Sequence, residues 1–410
     1  MENKKLTKLE KYWIMYDVGN SAFVMLIATI IPIYFNYLAK SAGISEVNYL
    51  AYWGYAASVS TVIVAVIGPV LGSIADMQNY KKPLFTISMM VGVIGCAAMS
   101  FPTSWVIFLA VFVIAKVGYN ASLIFYDSML VDITSTDRMD EVSSQGYAWG
   151  YIGSCIPFIL SLVLVLMYEK IGITMHMAMT GAFFLNAVWW AVVTIPLLRN
   201  YRQKNYVAVP SHSVKNSFKR LGQTFMDVHK EKKIFWYLLA FFFFIDGVYT
   251  IIEMATAYGS ALGLDSTGLL LALLVTQIVA FPCALICAKL SGKYPTERLI
   301  GVCIVAYIGI ALFAIQLDKQ WEFWTLAVLV GMFQGAIQAL ARSYFAKIIP
   351  AEKSGEYFGI YDICGKGASF MGTTLVGIVA QVTGVANAGV AVIAVLFVIG
   401  YILFKKAVRA

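Results

Sequence analysis

Long apolar runs separated by short polar loops make up almost the whole chain. A helix that crosses the hydrocarbon core of a bilayer needs about 20 such residues. The runs predict twelve spans, near 13–39, 49–75, 83–101, 104–130, 142–168, 177–199, 234–260, 266–290, 296–316, 320–345, 355–382 and 386–404. Several are long enough to cross with tilt or to project into water. One polar stretch, Asn200 to Lys233, divides them six and six; it carries Pro210 and no long apolar run. The pattern therefore predicts an all-α membrane protein in two halves. Residues 1–199 form the first and residues 234–410 the second. Residues 200–233 form a cytoplasmic linker, with a surface helix expected near Val214–His229.

Composition agrees with a membrane solvent. The 410 residues are 60% hydrophobic and 13% charged, far from a soluble domain. The six cysteines (Cys96, Cys155, Cys283, Cys287, Cys303 and Cys364) fall in or beside apolar runs, so they read as buried thiols. Cys283 and Cys287 lie four apart with no second ligand pair nearby, and no metal site is expected. The basic N-terminus runs directly into a full-length span, so no cleavable signal peptide is expected.

Charge sets the orientation. With the N-terminus inside, 24 of the 30 Lys and Arg fall on the cytoplasmic side and only Lys40, Lys170 and Lys319 outside. Lys116, Arg342 and Lys366 lie within spans. That bias predicts cytoplasmic termini in a plasma membrane. It also accounts for the net charge of +8 as topology, so no nucleic-acid partner is implied.

In the first span, Asp17 and Asn20 stand three apart and share one helical face. A charge in hydrocarbon costs on the order of several kcal/mol, so Asp17 must face protein, water or headgroups. Topology puts it about one turn above the cytoplasmic end. There it would meet Arg342 or another base at the inner mouth. Asn20 and Ser21 lie deeper and are better placed to touch a substrate.

Between spans two and three runs Gly68-Pro69-Val70-Leu71-Gly72-Ser73-Ile74-Ala75-Asp76, followed by Lys81-Lys82-Pro83. Gly72 permits close helix approach. The stretch resembles the cytoplasmic gating motif of the major facilitator superfamily, Gly-x-x-x-Asp and then a basic pair. That resemblance implies that Asp76, with Lys81 and Lys82, makes a charge-relay contact holding the outward-open state shut on the inside. The plainer reading is a positive-inside loop with an acid at a helix end. The corresponding place in the second half, Ala288 to Lys293, lacks the acid.

Other ionisable groups sit inside the spans. Tyr126-Asp127 to Asp132 aligns with Ala341-Arg342 to Lys347 with the charges exchanged, Asp127 against Arg342 and Asp132 against Lys347. The halves would then meet through opposite charges at the inner mouth; four separate snorkelling side chains are the other reading. Lys116 shares a face with Asp127 at about 16 Å, too far to pair. Asp362 and Lys366 make an i,i+4 acid-to-base pair, either static or opened by a charged substrate. In the seventh span Asp246 lies near the bilayer middle, with Tyr249 close by and Glu253 two turns on. Two acids on one face need a proton or a base from elsewhere, so Asp246 is the candidate for proton coupling. The fifth span opens Ser143 to Gly153, with a glycine face suited to tight packing and aromatics, Trp149 among them, available to line a path.

Nothing points to an enzyme or a cofactor: there is no phosphate-binding Gly-x-x-x-x-Gly-Lys loop and no predicted span contains a histidine. Taken together, the chain resembles the autophagy-linked vacuolar effluxer-like family, whose bacterial members form an unassigned major facilitator group. The resemblance rests on Tyr16-Asp17-x-x-Asn20-Ser21-Ala22-Phe23, the Gly72–Pro83 motif, Phe125-Tyr126-Asp127-x-x-Leu130-x-Asp132-Ile133 and Gly146-Tyr147-Ala148-x-Gly150-Tyr151-x-Gly153. It continues through Asp246-Gly247, Gln338-Ala339-Leu340-x-Arg342-Ser343, Glu356-x-Phe358-Gly359-x-Tyr361-Asp362 and Gly365-Lys366. It implies two pseudo-symmetric six-helix bundles, the major facilitator fold, and alternating access. Eukaryotic relatives are associated with amino-acid efflux from vacuoles. The expected function is a monomeric secondary transporter of a small polar solute such as an amino acid, coupled to protons as symporter or antiporter. The alternative is a lipid or drug exporter with an apolar cavity, lined by aromatics such as Phe241–Phe244.

Overall fold

A computed structural model describes residues 5–207, 222–224, 226–261, 266–384 and 386–410. In a bilayer core no water is available to backbone polar groups, and an α-helix satisfies them within one segment; the apolar runs accordingly fold as helices. In order these are α1 (Lys8–Ala28), α2 (Ile30–Ser41), α3 (Glu46–Ala75), α4 (Lys81–Ala98), α5 (Trp105–Ser128), α6 (Leu130–Ile133), α7 (Met139–Leu166), α8 (Tyr168–Ile171) and α9 (Met175–Asn200). The second half holds α10 (Lys232–Ala261), α11 (Ser266–Leu290), α12 (Thr296–Ala314), α13 (Gln320–Ile348), α14 (Ser354–Thr383) and α15 (Ala386–Arg409). Among the described residues twelve spans are long and apolar enough to cross a membrane.

The first span begins earlier than its apolar run, at Lys8, because Thr7 and Glu10 form a capping box. It also breaks at Thr29, whose backbone leaves the helical region and whose hydroxyl turns back to the Met25 carbonyl at 2.6 Å. The surface helix expected near Val214–His229 falls largely outside the described residues; 226–230 are helical.

In the first half α1 packs on α7 and α9, and α4 on α5 and α9. In the second, α10 packs on α14 and α15, and α12 on α13 and α15. The halves meet where α3 and α5 lie against α14, and α7 against α11 and α13. The α3–α14 crossing is close because it is made of glycine. A Cβ on Gly72 would collide with the Gly355 carbonyl, and one on Gly359 would sit 2.6 Å from the Cα of Pro69. The described residues at both ends of the chain and at both ends of the linker lie at the same end of the bundle. Glu10 pairs there with Arg138 at 3.1 Å, Asp227 with Lys353 at 3.6 Å, and Lys406 covers the Trp236 ring at 4.9 Å.

Candidate functional site

The end of the bundle that carries the termini is closed by polar contacts between the halves. Arg342, buried on α13, reaches into the first half. Its Nη1 donates to Asp127 Oδ1 at 3.0 Å, its Nη2 to Asp17 Oδ2 at 3.4 Å and its Nε to Ser143 Oγ at 2.9 Å. Tyr126 also donates its hydroxyl to Asp17 Oδ2, at 2.8 Å. The rings of Trp13, Tyr126 and Tyr147 stand 4.6, 5.4 and 4.5 Å from the guanidinium carbon. The glycine at 146 makes room for this arrangement. A Cβ there would lie 2.5 Å from Asp17 Oδ2 and 3.2 Å from Arg342 Nη2.

A second bridge joins Asp76 to the start of α14. Asp76 accepts the backbone N–H groups of Gly355 at 2.7 Å and Glu356 at 2.9 Å. These are first-turn donors with no partner inside their own helix, at the positive end of its dipole. Asp76 thus caps a helix of the other half. Burial pushes its carboxyl up to about 7, against the nearby Lys81 ammonium and the two N–H donors. The fully buried Lys81 donates to Ser354 Oγ at 2.8 Å and to the Ser128 carbonyl at 3.4 Å, with Asp132 at 3.6 Å and Asp76 at 4.0 Å. Lys82 stands outside this cluster, half-buried, its carbonyl accepting from Thr86 at 2.8 Å.

The exchanged charges of spans four and ten pair only in part. Asp127 meets Arg342, but Asp132 does not meet Lys347. Asp132 is taken by Lys81 and by the chain just after α9. Tyr201 donates to it at 2.6 Å, and the Asn205 backbone N–H and side chain donate at 2.8 and 2.9 Å. Alignment of the two halves therefore does not by itself decide contact; Asp127 and Arg342 meet where their helices approach, and Asp132 and Lys347 do not. Lys347 pairs instead with Asp140 at 2.6 Å, beside Thr296 and Ser343, which donate to the same carboxylate at 2.5 and 2.6 Å. Asp140 opens the fifth span, and by sequence it reads as an ordinary acid at a helix start.

Deeper in the bundle the second half gathers its own charges. Asp246 is fully buried, its Oδ1 accepting the Gly372 N–H at 3.0 Å and the Thr250 hydroxyl at 3.2 Å. Its Oδ2 has no hydrogen-bond partner among the described residues. Glu253, expected on nearly the same face, is exposed, so the two acids have different surroundings. Asp362 and Lys366 are in contact at 2.5 Å. Lys116 lies within electrostatic reach of Glu253 and Lys366, its ammonium 5.9 Å from the Phe112 ring. Tyr249 is half-buried near Gly365. Three spans from both halves thus bring Lys116, Glu253, Asp246, Asp362 and Lys366 into one region.

Three predicted path residues sit elsewhere. Asn20 is buried and donates to the Tyr16 carbonyl at 2.9 Å and to Asp17 at 3.4 Å. Ser21 packs against Gly150, where a Cβ would lie 2.9 Å from its hydroxyl. Trp149 is 44% exposed and stands edge-on to Phe281 across the α7–α11 contact.

The family model described as vacuole effluxer Atg22 like matches residues 7–137 and 131–409. The chain belongs to this family. It is 41% identical to the MFS-type transporter YxiO of Bacillus subtilis (strain 168), over 98% of this chain and 95% of that protein. It is 21% identical to autophagy-related protein 22 of Coccidioides immitis (strain RS), over 81% of this chain and 68% of that one. Among solved structures it is similar to the transporter FucP in its outward conformation, at a TM-score of 0.74 and 10% identity over 98% of this chain and 97% of that one. A bacterial homologue of ferroportin in an outward-facing state gives 0.71 and 13%, over 98% and 99%. The fold is that of the major facilitator superfamily, and this member of the effluxer family is a multi-pass membrane transporter of that type.

Proposed function

We propose that the protein is a secondary active transporter that moves a small polar solute, such as an amino acid, by alternating access, with protons as the coupling ion. The observation that carries this reading is the Arg342 bridge. A cation of the second half is held by two acids of the first at one end of the bundle, a contact that parting of the halves would break. Residues 1–199 and 234–410 are the two moving bodies and 200–233 the link between them. The termini face the cytoplasm of a plasma membrane, as the distribution of Lys and Arg supports, and the protein works as a monomer. On this reading the structure is closed inside, with Asp17, Asp76, Lys81, Asp127 and Arg342 as the inner gate.

The solute site is the deeper set of Lys116, Asp246, Glu253, Asp362 and Lys366. Mixed charges at that depth favour a polar or zwitterionic solute over a lipid. Asp246, buried with one carboxylate oxygen unpartnered, is the group that carries the proton. The test is thermal stabilisation of the purified protein by a metabolite library at two pH values, followed by counterflow of the binders in proteoliposomes. A ligand stabilises the protein by mass action. Stabilisation only by amphiphiles, with no counterflow of any polar solute, would overturn the reading in favour of a lipid or drug exporter.

A further inference from the structure

The surroundings of Arg342 form a receptor for a cation, built wholly by the other half of the protein. Asp17 and Trp13 come from α1, Tyr126 and Asp127 from α5, and Ser143 and Tyr147 from α7. Much of this cage is fixed without Arg342. Trp13 stacks on Tyr126 at 4.4 Å and donates its Nε1 to the Tyr126 carbonyl at 3.0 Å. Tyr126 in turn holds the Asp17 carboxylate. An ion pair alone would suffice to latch two bodies. Three ring faces within 5.4 Å of a guanidinium carbon, with two carboxylates and a backbone carbonyl at its N–H groups, do more. Ring quadrupoles favour large, weakly hydrated cations, and paired carboxylates match the planar fork of a guanidinium. A bare metal ion would want oxygen ligands all round.

When the halves part at this end, α13 withdraws Arg342 and the cage keeps two acids with no base of its own. We propose that Arg342 is a tethered stand-in for a ligand, and that the vacated cage binds the guanidinium or alkylammonium group of the transported solute. This rests on the alternating-access reading. Solute and Arg342 then exclude each other, so a bound solute holds this end open and return of Arg342 expels it. That gives the gate a way to sense occupancy.

The probe is methylguanidinium chloride, with methylurea as the neutral isostere and sodium chloride as the salt control, on purified full-length protein. Two readouts serve. In Arg342→Ala the cage is empty, and methylguanidinium should raise the melting temperature saturably. Methylurea and salt should not, and the effect should vanish in Arg342→Ala/Asp127→Asn. In the unmodified protein, Cys287 is buried against Ser144 across the halves at 3.8 Å, so its alkylation by N-ethylmaleimide, followed by peptide mass mapping, reports opening. Methylguanidinium should speed that alkylation saturably, by roughly tenfold for a population shift of about 1.4 kcal/mol.

A Cys287 rate indifferent to methylguanidinium, or moved equally by methylurea, overturns the proposal even if Arg342→Ala fails to fold. Neither readout needs transport. Counterflow without an effect of methylguanidinium overturns only the cage, whereas cage binding without counterflow of any solute overturns only the transport reading.

Discussion

The Asp76 carboxylate accepts the Gly355 N–H at 2.7 Å, so an acid of the first half caps a helix of the second. Side-chain caps contribute about 1 kcal/mol, and an anion at a helix N-terminus adds roughly 0.3–1 kcal/mol. Asp76→Ala leaves the Gly355 and Glu356 donors of α14 without their acceptor and Lys81 without one of its acids. The variant should open more readily at the end carrying the termini. Spin labels at the exposed positions Tyr80→Cys and Glu352→Cys should give a longer mean distance by double electron–electron resonance. An unchanged distance distribution would show that the cap does not hold the halves together.

On the proposed alternating-access reading, the same carboxyl should make closure depend on pH. In the closed arrangement burial raises it to about 7, whereas in an open, wet mouth it returns toward about 3.9. Because the closed-state value is the higher one, its contribution to closure is complete below the ordinary carboxylate range. That contribution is lost as pH rises through about 7. Acidifying from pH 8 to pH 6 should therefore shorten the Tyr80–Glu352 label distance. Asp76→Asn keeps one acceptor oxygen and cannot titrate, so its distance should no longer respond over that window. A response of the same size in Asp76→Asn would assign the pH dependence to another group.

The twelve spans are legible in the sequence because hydrocarbon admits little except helices, and the apolar runs mark them to within a few residues. Contacts within one helix are legible too: the i,i+4 spacing alone brings Asp362 to Lys366. Contacts between helices are legible only in part: Arg342 does meet Asp127 and Asp17. Asp132 and Lys347 look like partners by alignment, yet Asp132 serves the strap from Tyr201 to Asn205 and Lys347 turns to Asp140. The strap itself looks like featureless linker, since its function lies in backbone and side-chain hydrogen bonds rather than an apolar pattern. Asn20 looks like a path residue because an amide inside a span is costly. The Tyr16 carbonyl one turn back satisfies it locally, and such intrahelical bonds leave no trace in the residue pattern.

Arg342 holds two acids at different distances, and their contributions should differ. Removing the base alone leaves Asp17 and Asp127 as buried charges without their cation, which costs about 3–5 kcal/mol for such pairs. Arg342→Gln should therefore destabilise the protein more than Asp127→Asn does. The double variant Arg342→Gln/Asp127→Asn should recover part of the loss, because one of the two uncompensated charges is gone. A double-mutant cycle on melting temperature should find stronger coupling for Arg342 with Asp127 at 3.0 Å than with Asp17 at 3.4 Å. Arg342→Lys should not restore the protein, since an ammonium cannot reach both acids and Ser143 as the fork does.

Gly372 and Asp246 make the sharpest test of the deeper site. A Cβ on Gly372 would collide with Asp246 Oδ1 and Thr250 Oγ1, so only glycine lets α14 present its N–H to that carboxylate. Gly372→Ala forces either Asp246 or the helix to move, at about 1–3 kcal/mol by analogy with overpacked cores. Asp246→Asn keeps the volume and an acceptor oxygen for Gly372 but cannot exchange a proton. If Asp246 carries the coupling proton, Asp246→Asn should fold with near-normal stability. It should retain solute exchange in counterflow and lose uptake driven by a pH gradient. Gly372→Ala should instead weaken stability and both forms of transport together. Gradient-driven uptake that survives intact in Asp246→Asn would leave Asp246 as a helix-packing group and move the search for the proton to Glu253 and Asp362.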